Sequence, residues 1–391
     1  MAEFLPPGVT WSGKAAVVYQ LLADADPDSY CLLSRRDYDT PEHRSAPRRL
    51  PARYYHLGDA VTRAPEHAVG LERLGIRLRR AWSAIRAVAK AVAAVRRERC
   101  HAVVASPDRV EDLPIALAVT RLSGAQFYPY LFDDYAMKWI TPKEHAFAVR
   151  AEPFLLRHAA GVIVPNEYLR AELQRRHGID STVVWNICDA TPYESDVGAE
   201  VDDESRPAAI VFTGAVYHAH YGAFRNLLDG IRLLEDGVAE LHLYTASDPE
   251  LLAQHGLSGP IVWHRHAPSS EMPRIQQAAH ILFLPLALDS PYPVVVRTSS
   301  PAKMAEYLAA ARPILVHAPP DSFMSGYFRR HDCGVVVDEG EPAKLAAAIE
   351  RILGDQRLRK RICAAARQRA ETDFDPARAR AAFGSLVNLR A

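Results

Sequence analysis

The sequence predicts an α/β protein built as two doubly wound parallel-sheet domains facing a cleft. Three observations carry that expectation. Short apolar, β-branched runs alternate with helical segments in both halves of the chain, the pattern of repeated β–α–β units. An acidic stretch almost free of large aliphatics, DATPYESDVGAEVDDESRP at 189–207, separates the halves. The 391 residues are enough for two domains of ordinary size.

In the first half the expected strands are YCLLS (30–34), RYYHL (53–57), AVVAS (102–106), FYPYLF (127–132), GVIVP (161–165) and STVVW (181–185). The opening MAEFLPPGVT makes a poor first strand because two prolines interrupt it. The second half repeats the scheme with AAIVFTG (208–214), LHLYTA (241–246), PIVWH (260–264), HILFLPL (280–286), PILVH (313–317) and GVVVD (334–338). Three helical stretches rich in Ala and Arg follow from Pro342 to Asn388. These elements set out an N-terminal Rossmann-like domain over 1–190, a linker over 191–207, a second Rossmann-like domain over 208–375, and a last helix, 376–391, crossing back to the first domain. In such sheets ligands bind at the C-terminal edge of the strands.

Composition excludes several classes. The 49% hydrophobic and 24% charged residues are those of a globular protein, and 47 basic residues balance 47 acidic ones, so no global charge argues for nucleic acid. The five cysteines are scattered without paired metal spacing, which fits a reducing cytoplasm. No run approaches membrane-spanning length. Neither a G-x-G-x-x-G after a first strand nor a G-x-x-x-x-G-K-[ST] is present, so a dinucleotide fingerprint and a P-loop are both unsupported. Asp-x-Asp occurs at 24–26, 26–28 and 37–39 in surface-like segments, about as often as chance allows, and no metal is assigned.

The most informative stretch is SSPAKMAEYLAAARPILVHAPPD, beginning at Ser299. Ser300 is a good N-cap, Pro301 suits a first helical position, and strong helix formers run to about Ala311. Arg312-Pro313 ends the helix, and Ile314–Val316 reads as a buried strand. Free N–H groups at the helix start form an anion site, and a phosphate there leaves Glu306 about one turn deeper, within reach of a hydroxyl-bearing group. An ordinary capped helix with a Lys303–Glu306 surface pair is the alternative.

Two further features bear on function. LFDDYAMKW sets Asp133 and Asp134 at the C-terminal end of a first-domain strand, where either is placed to act on an acceptor hydroxyl or simply to cap the following turn. From Arg77 to Arg99, Trp82, Ile85, Ala89 and Val92 form an apolar helical stripe. Arg79, Arg86, Lys90 and Arg97 share a separate direction to within about 20°. That basic face is either solvated or set against anionic lipid headgroups. The basic loop at 35–53 is the expected acceptor-shaping segment.

The order IVFTGAVYHAHYGAFRNLLDGIRLL, VWHRHAPSSEMPRIQQAAHILFLPL, SSPAKMAEYLAAARPILV and CGVVVDEGEPAKLAAAIERIL, with YLFDDY, GVIVPNEYLRAEL and VVWNICD before it, resembles the GT-B glycosyltransferases, particularly glycosyltransferase family 4. By that resemblance Glu306 holds the donor ribose, while Ser299, Ser300 and the N–H groups up to Lys303 cradle the diphosphate, with Lys303 adding a charge. Gly214 gives close backbone approach, Arg265 and His266 stand where the base is read, and Gly13 matches the first-domain glycine loop. Two departures stand out. Thr298 occupies the position where the family often has a sugar-contacting glutamate. The usual Arg and Lys after the Gly214 strand are missing, leaving His218, His220 and Arg225 as the nearest polar residues. The resemblance implies transfer of a sugar from a nucleotide-diphosphate donor, UDP- or GDP-linked, to a hydroxyl acceptor on a glycan, lipid or small molecule. It further implies a retaining, metal-independent and cofactor-free reaction in the cytoplasm or at the inner membrane face. A nucleotide-sugar epimerase or hydrolase of the same shape, and a non-catalytic nucleotide-binding scaffold, are the alternatives.

Overall fold

The computed structural model describes residues 13–46, 49–58, 70–193 and 207–389. The chain divides into two compact units, one formed by Met1–Trp185 with Pro376–Ala391 and the other by Asn186–Asp375. The MAEFLPPGVT segment and residues 194–206 of the expected linker lie outside the described residues.

Unit 1 contains α1 (Gly13–Leu22), β1 (Cys31–Ser34), α2 (Pro41–Arg44), β2 (Arg53–His56), α3 (Gly70–Arg97), β3 (Ala102–Ala105), α4 (Asp112–Ser123), β4 (Gln126–Pro129), α5 (Pro142–Arg157), β5 (Ile163–Val164), α6 (Glu167–His177) and β6 (Thr182–Val183). Its strands form three parallel ladders, β1–β2, β3–β4 and β5–β6, and a single bridge from Tyr130 to Ile163 ties the second to the third. The first unit ends at Trp185 rather than at 190. Asn186 and Cys188 belong to unit 2, where Asn186 Nδ2 donates to Ser300 O (2.6 Å) and Cys188 N to Phe374 O (3.4 Å).

Unit 2 contains β7 (Ala208–Thr213), α7 (Tyr221–Ile231), β8 (Ala239–Thr245), α8 (Pro249–Gln254), β9 (Ile261–Arg265), α9 (Met272–Gln277), β10 (Ile281–Pro285), α10 (Pro293–Thr298), α11 (Ala302–Ala310), β11 (Ile314–His317), α12 (Phe323–His331), β12 (Val335–Val337), α13 (Pro342–Gly354) and α14 (Gln356–Thr372). The strands make one six-stranded parallel sheet in the order β12-β11-β10-β7-β8-β9. Central β10 and β11 are buried at every residue, as strands covered on both faces must be. The core packs Phe212, Phe224, Leu241, Leu243 and Phe283 against Leu345 and Ile349 of α13. From β7 the chain runs outward through β8 to β9, then returns to the other side of β7 with β10. The order therefore reverses between β7 and β10, the switch point at which open α/β sheets hold ligands. A final helix, α15 (Pro376–Val387), returns to unit 1. It packs on α1, Arg380 Nε donates to Gln20 O (2.6 Å), and Val387 O accepts from His101 Nε2 (2.8 Å).

Helix α3 turns its expected apolar stripe partly outward, and α11 starts one residue later than expected. In α3 the core face is Ala87, Ala91 and Val95, with Ala84, Val88 and Val92 beside them. Trp82 (62% exposed) and Ile85 (58%) instead face water, aligned with exposed Leu74 and Leu78. Small alanines win the core side because they let α3 lie close on α4 and the strands. The expected basic residues Arg79, Arg86, Lys90 and Arg97 are all exposed. In α11 the N-cap is Pro301, not Ser300, and no side chain caps the helix. The helix ends at Ala310, and Ala311 turns out of it with a left-handed φ of 52°.

Candidate active site

Polar residues around the β7–β10 switch point make a cluster within unit 2. β7 ends at Thr213, and Gly214 follows with φ 121°, a conformation that only glycine adopts without strain. A Cβ there would stand 3.4 Å from Lys303 Cε and 3.6 Å from its Nζ, so the lysine lies along the bare backbone of this turn. The Lys303 ammonium also sits 4.6 Å from the centre of the Phe212 ring. Burial lowers its pKa from the ordinary 10.5 to about 8, with Glu306 pulling in the opposite direction. No hydrogen-bond partner for this ammonium occurs among the described residues.

Glu306, one turn deeper on α11, is held from the side. Gln276 of α9 is fully buried, and its Nε2 donates to Glu306 Oε2 (3.0 Å) and to Thr213 Oγ1 (3.3 Å). Its Oε1 accepts from Tyr193 OH (2.8 Å). An amide whose oxygen is claimed by a hydroxyl has only its NH2 to offer the carboxylate, so Tyr193 sets the orientation of Gln276 and Gln276 that of Glu306. Tyr307 OH accepts from Thr213 N (3.0 Å) and ties α11 to the end of β7.

The start of α11 is polar and incompletely satisfied. Ser300 and Asn186 are buried, and Ser300 Oγ and Asn186 Oδ1 have no hydrogen-bond partner. His220, also buried, leaves Nδ1 without a partner and stacks edge-on to Phe212 (5.8 Å). Burial first, then Lys303, drives its pKa well below the ordinary value, so this imidazole is neutral. Buried polar atoms left unpaired cost about 1–3 kcal/mol each. Three of them beside a free ammonium and an uncapped helix start describe a cradle for an anionic, hydrogen-bonding ligand.

The remaining expected residues divide. Ser299 caps the end of α10 and is partly exposed beside Ser300. Thr298 is buried, and its Oγ1 donates back to Val294 O (2.9 Å). Arg265 ends β9 and His266 follows it; both are exposed, at the outer end of the sheet order β7-β8-β9. Arg225 pairs with Asp289 (3.6 Å) and donates to His255 O, and His218 packs on Tyr292 (5.3 Å). In unit 1, Gly13 opens α1. Asp133 is partly exposed, whereas Asp134 is fully buried and accepts from Arg176 Nη2 (2.6 Å) and Met137 N (3.1 Å). Burial raises its pKa, opposed by Arg176. Arg176 also reaches Glu152 (3.2 Å) and Glu172 (3.4 Å), so Asp134 is one acid of a buried structural cluster and not an available base. Gln276, Tyr193 and Asn186 are the site residues that sequence reasoning missed; nothing in their local sequence marks them.

Residues 207–355 match the family described as Glycosyl transferases group 1. The matched residues all lie in unit 2, which is the part of the chain similar to that family. No curated protein matches the chain in sequence. Among solved structures, HepE from Anabaena in complex with UDP and glucose superposes with a TM-score of 0.70 at 13% identity, over 98% of each chain. A glycosyltransferase from Rickettsia africae gives 0.67 at 11% identity, over 97% of this chain and 96% of its own. The lipopolysaccharide outer core galactosyltransferase WaaB gives 0.62 at 13%, with the same coverage. The chain thus has the GT-B fold.

Proposed function

We propose that the protein transfers a sugar from a nucleoside diphosphate sugar to a hydroxyl acceptor. The observation that carries this reading is the meeting of Lys303, Gly214, the uncapped start of α11 and a clamped Glu306 at the switch point of unit 2. A diphosphate laid against Gly214 and the α11 start receives backbone N–H groups, the Ser300 hydroxyl and the Lys303 ammonium. Glu306, one turn on, accepts from ribose hydroxyls. HepE, a structural neighbour, binds UDP and UDP-glucose, and UDP is the first nucleotide to test, ahead of GDP.

Glycosyl transfer builds positive charge at the anomeric carbon and negative charge on the departing diphosphate. Lys303 and the α11 dipole meet the second charge without a divalent ion. Thr298, bonded to its own helix, gives no carboxylate to the sugar, so the retaining outcome rests on the donor phosphates and the acceptor face. Asp133 is the acceptor-side carboxylate retained in this proposal.

In this reading the acceptor lies near a lipid surface, and two exposed helical faces of unit 1 support it. On α3 the cations Arg79, Arg86, Lys90 and Arg97 flank exposed Leu74, Leu78, Trp82 and Ile85. On α5, Lys143, Phe147, Arg150, Phe154 and Arg157 line one exposed helical face. Cations beside apolar side chains suit an anionic membrane interface. No helix among the described residues is long and apolar enough to cross a membrane.

A panel of UDP, GDP, ADP and dTDP read by thermal shift tests the donor site. A nucleotide at 100 times its Kd stabilises by about 2.7 kcal/mol. Product analysis with the matching sugar donor then separates transfer from hydrolysis or epimerisation. No shift with any nucleotide overturns the proposal.

A further inference from the structure

Unit 1 has a seam. β1–β2 and β3–β4 are separate ladders, and among the described residues no ladder hydrogen bonds join β1 to β3. A largely apolar cavity of about 170 Å³ opens along this seam, walled by Leu21, Leu32, Val103 and Phe383. Two of the five cysteines also stand on its wall. Cys31 is the first residue of β1, Cys100 lies just before β3, and their sulfurs approach to 3.8 Å across the seam. A disulfide needs about 2.05 Å, so the two sulfurs have under about 2 Å left to close.

The pair is set apart from the other three cysteines. Cys31 and Cys100 are both partly exposed, while Cys188, Cys333 and Cys363 are buried. Burial pushes the Cys333 and Cys363 thiols up to about 12 and Cys188 well above its ordinary value, which keeps them protonated and unreactive. The hydrogen bond from Cys31 lowers Cys100 to about 7, against burial and Glu98 and with help from Arg53, while the same bond raises Cys31.

We propose that Cys31 and Cys100 are a modification site, a thiol pair that a low-molecular-weight disulfide oxidises to an intramolecular disulfide closing the seam between β1 and β3. The Cys100 thiolate attacks one sulfur of the disulfide RS–SR, forming Cys100–S–S–R and releasing RS⁻, which takes up a proton. Cys31 gives its proton to solvent and attacks the Cys100 sulfur. The Cys31–Cys100 bond forms as the second RS⁻ leaves and is protonated. The protein loses two hydrogen atoms with their electrons, and RS–SR becomes two RSH.

Oxidised glutathione on the native, full-length protein tests this. The expected result, counted after denaturation, is loss of two of the five thiols, recovery with dithiothreitol, and a proteolytic map joining the peptides of Cys31 and Cys100. Cys31→Ser keeps a single glutathione on Cys100, because no resolving thiol remains, whereas Cys100→Ser takes up none under the same exposure. Circular dichroism verifies that both variants are folded. The closed seam raises the melting temperature of the oxidised protein over the reduced one. Five persistent thiols, a bond involving Cys188, Cys333 or Cys363, adduct formation in Cys100→Ser equal to that in Cys31→Ser, or unchanged melting on oxidation each overturns the proposal.

Discussion

Lys303 offers a prediction in which two observables move in opposite directions with pH. Its ammonium lies over Phe212 and beside Gly214, with Glu306 the charged neighbour and His220 neutral. Burial brings the folded-state pKa to about 8, below the 10.5 of the exposed side chain. The unfolded chain therefore holds the proton that the native site has released, between pH 8 and 10.5. Since stability rises with pH wherever the unfolded state binds more protons, the ligand-free protein gains stability across that window. Below pH 8 the penalty for keeping the lysine charged is fully present. Binding has the other sign, because a diphosphate needs the ammonium. If only the protonated site binds, the apparent Kd is the intrinsic one divided by the protonated fraction, which makes it about elevenfold weaker at pH 9 and about 1.1-fold weaker at pH 7. Titration calorimetry with UDP at the two pH values measures this in wild type and in Lys303→Met. The wild type is expected to lose about tenfold in affinity, while the variant, weaker throughout, stays flat. Any titration of the ligand is common to both proteins and cancels in the ratio. Equal pH dependence in the two proteins would place the titrating group elsewhere and refute Lys303 as the diphosphate's cation.

The other predictions follow from the same cluster and from α3. Glu306→Ala is expected to cost about 1.5–3 kcal/mol in nucleotide binding, roughly ten- to 150-fold, with the fold intact. Gln276→Leu should lose part of that affinity for UDP and little for a 2′,3′-dideoxy analogue, and an equal loss for both ligands would show that Gln276 does not act through Glu306 on the ribose. Lys303→Ala is expected to lower kcat by about 10²–10³, Thr298→Ala far less, and chelation by EDTA not at all; turnover that stops with EDTA and returns with Mg²⁺ defeats the metal-free mechanism. Co-sedimentation with vesicles containing anionic lipid should fall when Trp82→Ser is combined with Arg86→Glu and when salt is raised, and binding that ignores both changes removes α3 as the membrane contact.

What the sequence made legible was local, and what it hid was carried by contacts between distant segments. The twelve expected strands all appear within a few residues of their places, and central β10 and β11 were the plainest, because a strand covered on both faces must be an unbroken apolar run. The Lys303–Glu306 spacing was equally readable, since it depends only on helical geometry. Helix α3 shows that an apolar stripe in the sequence need not be the core face. Hydropathy gives the core to Trp82 and Ile85, but close packing on α4 gives it to Ala87 and Ala91. At α11 the serine expected to cap the helix lies one residue too early, and Pro301 takes the cap position. The Ser300 hydroxyl is thereby left unpartnered beside a helix start that no side chain satisfies. Asp133 and Asp134 are neighbours of the same type, yet only Asp134 meets Arg176, 42 residues away. Gln276 reaches Glu306 across 30 residues, and Tyr193 reaches Gln276 across 83. No spacing rule predicts such pairs, because they arise only once α9 and the chain before β7 are folded against the sheet. The residues offered to a ligand are thus set by local rules, and the residues that hold them in position are set by the fold. An exposed carboxylate on a helix is free to rotate, whereas Glu306 is oriented by a buried amide that has no second way to satisfy Tyr193. In the proposed donor site this difference sets Glu306 apart from an ordinary Lys-x-x-Glu helix start, and it is the reason Gln276→Leu, at a position with no motif, is expected to weaken nucleotide binding while leaving Glu306 itself in place.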